Sequence, residues 1–341
     1  MSTESDMYSF WPMSSARSNS SGSPHPSATR VCIAFTMVYV LWGSTYLGIR
    51  VAVEHIAPLM VGASRFLASG LIMLAACALV GRSLRITRNE AVRLAVIGVL
   101  LLTGGNVMVA WSEQYVSSGL TALIVASVPL WVMVINSVMP GGDRLSPKGV
   151  AGLALGIAGM VVLLWPRITG AGGLARGELA GSAGLVFASA SWALGSVLSR
   201  RWQLPVHAFV ATAWEMTFAG AFNLLLALAF GQQHRTEVTM RGSLAIAYLV
   251  VFGSLLGLTA YVWLLEHVPT QKVATYAYVN PVVAVFLGWL VLNETVDRYV
   301  IAGTIVIVAA VALVTTARVK PAREAGPAMA TRELTAETGA D

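Results

Sequence analysis

Residues 42–50 read WGSTYLGIR, and residues 192–200, a shift of 150 positions, read WALGSVLSR. Under the same shift Arg65 falls on Glu215, Gly70 on Gly220 and Leu94-Ala95 on Leu244-Ala245. Shifts larger by one or two residues bring Pro129 onto Pro281, Asp143 onto Glu294 and Ala151-Gly152 onto Ala302-Gly303. Scattered coincidences are common, but an ordered series along the chain marks an internal repeat.

What each copy contains follows from composition. Apolar residues make up 56% of the 341 and charged ones 11%, with a mean hydropathy of +0.72. A soluble globular chain carries about 25% charged residues, so most of this surface must face lipid. Crossing a ~30 Å hydrocarbon layer takes about 20 apolar residues. Stretches of that kind run over 31–51, 57–80, 91–111, 116–138, 148–165, 179–199, 207–231, 243–264, 271–292 and 299–317. The prediction is an all-α membrane protein of ten transmembrane helices, five per repeat. Five is odd, so the second copy enters the membrane from the opposite face. Such inverted repeats recur in secondary transporters, with the substrate site where the repeats meet.

Lys and Arg set the orientation. One side receives fifteen: Arg17, Arg30, Arg82, Arg85, Arg88, Arg93, Arg144, Lys148, Arg200, Arg201, Lys272, Arg318, Lys320, Arg323 and Arg332. The other receives five: Arg167, Arg176, Arg235, Arg241 and Arg298. Both termini are therefore expected in the cytoplasm, in a bacterial-type inner membrane. The expected division is a disordered cytoplasmic lead (1–30), a first repeat (31–165), a linker (166–178), a second repeat (179–317) and a disordered tail (318–341). The lead holds ten serines and lacks the apolar core of a signal peptide. The net charge of +6 is scattered singly among apolar spans, which excludes a nucleic-acid surface. Cys32 and Cys77 have no His or Cys at metal spacing, and no phosphate loop, dinucleotide fingerprint or zincin motif occurs. No metal or cofactor is expected.

Ionisable groups inside a span cost about 2.5–3.5 kcal/mol at a helix centre, so those present are informative. Arg65 falls about 11 Å below the outer end of helix 2 and Glu215 about 12 Å above the inner end of helix 7. Long side chains nearly bridge that difference in depth; the plainer alternative is that each snorkels or satisfies helix-end carbonyls. Glu113 falls at the junction of helices 3 and 4. Glu215 is the first candidate for coupling to protons and Glu113 the second. Candidate cavity residues are Trp42, Ser44, Thr45, Tyr46, Arg65, Asn106, Trp131, Trp192, Ser196, Glu215, Ser254, Tyr261, Tyr276 and Asn280. For any one aromatic, ordinary packing or an interfacial belt is an equal reading. Pro129 and Pro281 each remove a backbone bond and make a matched pair of hinges or fixed kinks. Gly149, Gly152, Gly156, Gly159 and Gly303 suit close helix packing.

These motifs resemble the EamA family of the drug/metabolite transporter superfamily. The resemblance rests on WGSTYLGIR (42–50), ASRFLASG (63–70), SEQYVSSGLTALIVASVPLW (112–131), SWALGSV (191–197) and ATYAYVNPVVAVFLGWLVLNE (274–294), and covers roughly residues 33–316. Glu294 matches the acidic residue that commonly follows the ninth helix there; its first-half counterpart, Asp143 in a GGD turn, is a mild departure. The resemblance implies a cavity between the halves, alternating access, and exchange with or coupling to protons. The expected function is secondary transport, on the exporter side, of amino acids, other metabolites or lipophilic or cationic drugs. The expected partners are a small-molecule substrate, the lipid bilayer and protons, with the chain a monomer or homodimer. A membrane-embedded enzyme is the rival, but it would need clustered His, Asp or Glu at depth. A channel-like facilitator is a lesser third.

Overall fold

The structure, a computed structural model, describes residues 27–140, 147–169, 176–268, 270–273 and 275–315. The N-terminal lead up to residue 26, Asp143 and the tail from 316 lie outside the described residues. All the regular structure of the described residues is helical. Its principal helices are α1 (Ala28–Val53), α2 (Pro58–Leu79), α3 (Arg88–Ser112), α4 (Ser118–Val138), α5 (Pro147–Ile168), α6 (Arg176–Trp202), α7 (Ala208–Ala229), α8 (Met240–Leu264), α9 (Tyr276–Leu292) and α10 (Arg298–Thr315). Eight meet the length and hydropathy of a membrane crossing, while the apolar stretches of α9 and α10 are shorter. The ten helices form two inverted five-helix repeats.

Local sequence starts and stops them. Ser27 caps α1, accepting from the Arg30 N–H, and Pro58 opens α2, where a missing N–H costs nothing. Thr87 and Glu90 form a reciprocal capping box on α3. Asn293 ends α9 in the left-handed region at φ 54°, a conformation asparagine tolerates.

The repeats interlock by pairing each helix with one from the other half. Helices α2 and α7 cross at Gly70 and Gly220, the glycines that the repeat superimposes. A β-carbon at Gly220 would stand 2.5 Å from the Leu67 nitrogen, and one at Gly70 would stand 2.7 Å from the Thr217 nitrogen. Helices α5 and α10 meet through Gly152 and Gly159 against Val314 and Ile307, and through Gly303 against Leu163. Lipid tails are as apolar as leucine, so close van der Waals packing, rather than escape from water, holds such helices together. Large side chains such as Leu79, Phe286 and Ile305 accordingly point outward.

Two features break the regularity. Val99–Val107 of α3 and Leu249–Leu256 of α8 are wound as π-helix, and their first residues are 150 positions apart. Each widened turn is used by the opposite repeat: Ser191 of α6 donates to the Leu100 carbonyl (2.8 Å) and Trp42 of α1 to the Gly253 carbonyl (3.2 Å). The matched prolines differ. Pro129 follows a break at Ala126–Ser127 that divides α4, whereas Pro281 sits inside continuous α9.

Candidate functional site

The helices alternate in direction, so the bundle has two ends. At the Glu54 end, Glu54 pairs with Arg241 (3.2 Å), and the α2 start donates from Ala57 N–H to Thr236 and from Leu59 N–H to Gln232. At the Arg200 end, Arg201 donates to the Pro140 carbonyl and Tyr39 shares a hydrogen bond with Thr275.

Arg65 lies between these ends and is 7% exposed. Its Nε donates to the Ser254 hydroxyl at 3.0 Å and an Nη reaches Asn106 Oδ1 at 3.5 Å, while the guanidinium lies 5.0 Å from the Phe66 ring centroid. Asn106 belongs to the π segment of α3 and Ser254 to that of α8, so one cation bridges the irregular turns of both repeats. Both partners are neutral. Five N–H donors project from a guanidinium, and no carboxylate answers this one among the described residues. Glu215, its repeat mate, stands elsewhere: its backbone packs against Gly98 and its half-buried side chain makes no hydrogen bond or ion pair with described residues. A cavity of about 10 Å³ opens beside Arg65 between Ile49, Gly62, Phe66, Asn106 and Ala110. That is room for about one water, so the site is closed in this conformation.

Gly253 joins this cation to an aromatic group. A β-carbon there would meet Thr45 at 2.9 Å and an Arg65 Nη at 3.2 Å, and its carbonyl takes the Trp42 N–H. Trp42 contacts Tyr261 and Tyr276 with ring centroids 5.0 and 5.1 Å away, and the two tyrosines lie 5.8 Å apart. Three rings from α1, α8 and α9 thus cluster beside Gly253, which joins them to Arg65. Ser44, beside them, shares a 2.6 Å hydrogen bond with Tyr248.

A second polar group lies nearer the Glu54 end. Glu113, at the α3–α4 junction, is 0% exposed, and Tyr46 and Arg50 of α1 lie in its electrostatic reach. Burial pushes its carboxyl well above the usual carboxylate range; Arg50 opposes the shift and Glu294 adds to it.

The remaining candidates make no hydrogen bond or ring contact with either group among the described residues. Trp192 packs on Gly105 and Ser196 bonds within its own helix, Trp131 is half-buried on α4, and Asn280 is buried with its Oδ1 unpaired. Arg50 and Glu294 were legible as a repeat position and a family position, but no local signal told what they face. A groove of about 430 Å³ between α9 and α10, lined by Phe286, Trp289, Ile301 and Ile305, is larger than the cavity at Arg65. Apart from the Thr304 hydroxyl and the Trp289 indole N–H its lining is apolar, so it offers no charged group to orient a substrate.

The pattern of the EamA-like transporter family matches this chain twice, over residues 29–165 and 179–316. Over 283 residues, 83% of this chain and 89% of the relative, the sequence is 38% identical to the "Uncharacterized inner membrane transporter YedA" of Escherichia coli (strain K12). It is 25% identical over 284 residues to the "Probable amino-acid metabolite efflux pump" of Salmonella typhimurium, covering 80% of this chain and 90% of that one. A solved crystal structure with 22% identity superposes with a TM-score of 0.59 over 84% of this chain and 96% of the other, a likeness of fold. Two matched copies, a fold built of two inverted halves and this identity agree: the chain belongs to the EamA-like transporter family.

Proposed function

We propose that the protein is a secondary active exporter of small carboxylate-bearing metabolites, amino acids foremost, working by alternating access between its two repeats. One observation carries the reading: Arg65, a buried cation, is held between the π segments of both repeats by neutral partners only. Its planar fork of donors matches a carboxylate in two parallel hydrogen bonds. An anion arriving there would bring charge compensation that the chain itself does not supply, and would touch both halves at once. π turns inserted in α-helices are frequent at functional sites. The name of the Salmonella relative, an amino-acid metabolite efflux pump, points the same way.

In this reading the Arg200 end faces the cytoplasm, as the fifteen-to-five distribution of Lys and Arg favours, and the membrane is the bacterial inner one. The Trp42–Tyr261–Tyr276 contact is then the cytoplasmic gate, and the Glu54–Arg241 pair and its neighbouring loop bonds close the outer side. The two repeats, 31–165 and 179–317, act as the moving bodies.

The test is counterflow in proteoliposomes with amino acids, dicarboxylates and cationic drugs. Saturable counterflow of carboxylate-bearing compounds, weakened in Arg65→Gln, is expected. Losing a charge-assisted bond costs about 1.5–3 kcal/mol, or roughly ten- to 150-fold in apparent affinity. Linear, non-saturating flux would indicate a channel, and cationic drugs carried in preference to carboxylates would overturn the substrate class.

A further inference from the structure

The junction between α3 and α4 holds a carboxyl group that the fold leaves unanswered. Glu113 is 0% exposed, and neither of its oxygens has a hydrogen-bond partner among the described residues. Buried polar groups are nearly always paired, so each exception requires a reason. An ionised carboxylate in that position would cost several kcal/mol, which favours the neutral acid in this conformation. The hydroxyls of Ser112, Ser118 and Thr121 are also buried there without partners.

Charged and titratable groups reach Glu113 from several sides. Helix α1 brings Arg50 and Tyr46. Glu294, beyond α9, is in reach, but its own oxygens are engaged by the Ser118 and Gly119 N–H groups. Helix α6, packed on this junction through Gly181 and Gly184, carries Glu178 in its first turn. Arg50 forms no hydrogen bond or ion pair with described residues, so it stands near Glu113 without engaging it. The same cation is available as counter-ion once the acid ionises. Proton loss would therefore add an ion pair between α1 and the α3–α4 junction, which already pack together through Ile49, Ala52, Val109 and Leu120, a two-state element of the kind a coupling ion must bias. On the other side, Tyr46 lies in electrostatic reach of Tyr276 of the aromatic group, which places phenol hydroxyls between Glu113 and the Arg200 end.

We infer that Glu113 is the proton-binding residue of transport. With the outer side open, one O–H bond forms on its carboxylate as one breaks in hydronium. With the inner side open, the proton returns to water and the carboxylate turns to Arg50. One proton thus moves inward for each substrate moved outward. The inference rests on the transport reading, and its test separates the two.

A protonated carboxyl in apolar surroundings transfers its proton to a nitrogen of a hydrophobic carbodiimide and adds its oxygen to the central carbon, and mass spectrometry of the labelled, unaltered chain locates the adduct without any substrate. Glu113 should be modified, with a reactivity that persists at pH values where ordinary carboxyls have ionised. Glu113→Gln should keep counterflow, which needs no net proton movement, while efflux driven by a pH gradient falls to the level of empty vesicles. An unreactive Glu113, or driven efflux surviving in Glu113→Gln, would overturn the proton assignment alone. Absence of counterflow in the unaltered protein would overturn the transport reading alone. The labelling arm does not depend on the variant folding.

Discussion

Glu294, one residue beyond the C-terminal cap of α9, caps the N-terminus of α4: its Oε1 accepts from the Ser118 N–H at 2.7 Å and its Oε2 from the Gly119 N–H at 3.0 Å. A carboxylate at a helix N-terminus satisfies otherwise orphaned donors and meets the positive end of the dipole. The bond fastens the two repeats together 175 or more residues apart in sequence. Glu294→Ala should therefore lower the thermal midpoint in detergent, by about 0.5–2 kcal/mol of stability on the scale of lost caps. Glu294→Gln, which retains an acceptor, should lose less. An unchanged midpoint in both would show the cap to be dispensable.

The three-ring contact makes a prediction about gating. Aromatic pairs contribute about 0.5–1.5 kcal/mol each beyond their area, and Trp42→Ala removes the contacts with both Tyr261 and Tyr276. The open population at the Arg200 end should then rise roughly five- to 150-fold, within the range of ordinary conformational coupling. A cysteine placed at Thr45 should be modified faster from that side in Trp42→Ala than in the parent.

Gly98 offers a packing test. A β-carbon there would fall 2.4 Å from the Glu215 carbonyl oxygen, a backbone atom that no rotamer change moves. Gly98→Val should separate α3 from α7 at a cost of about 1–3 kcal/mol, typical of overpacking, read as a lower thermal midpoint.

Glu113 also predicts a pH dependence of stability. Its folded-state pKa is raised above that of the unfolded chain, so the folded state holds the proton more tightly. The stabilisation is complete below the ordinary carboxylate range and is lost as pH rises through the folded value. The unaltered protein should lose stability over that interval, and Glu113→Gln should flatten the loss. A parallel decline in both would assign the effect to other groups.

Topology is tested with an impermeant thiol reagent on cysteines replacing Arg82 and Arg235. Labelling from opposite sides of the membrane is expected, with Arg82 cytoplasmic. Replacing Pro129 and Pro281 together by alanine should slow turnover while sparing equilibrium binding. Pro129 follows a helix break and Pro281 does not, so Pro129→Ala should account for most of the slowing.

Much of the architecture was legible in the residues themselves because lipid is a strict solvent. It demands long apolar helices, penalises charge within them and biases Lys and Arg to one side, so the number of spans and the inverted repeat followed from the chain alone, and the same penalty singled out Arg65 and Glu215 first and Glu113 second. The glycine pairing of α2 with α7 was half visible: the repeat aligned Gly70 with Gly220, but only packing showed each meeting the other helix's backbone. Three things were decided by tertiary structure. Arg65 took Asn106 and Ser254 in place of Glu215, Glu294 found the α4 N-terminus, and Glu113 was sealed from water without a partner. Each depends on which helix faces which across the two halves, and on π turns that shift side-chain register by a fraction of a turn. Hydropathy and spacing report how deep a residue sits in the membrane. They do not report its azimuth around the helix relative to neighbours more than a hundred residues away, and the azimuth determines which polar groups meet.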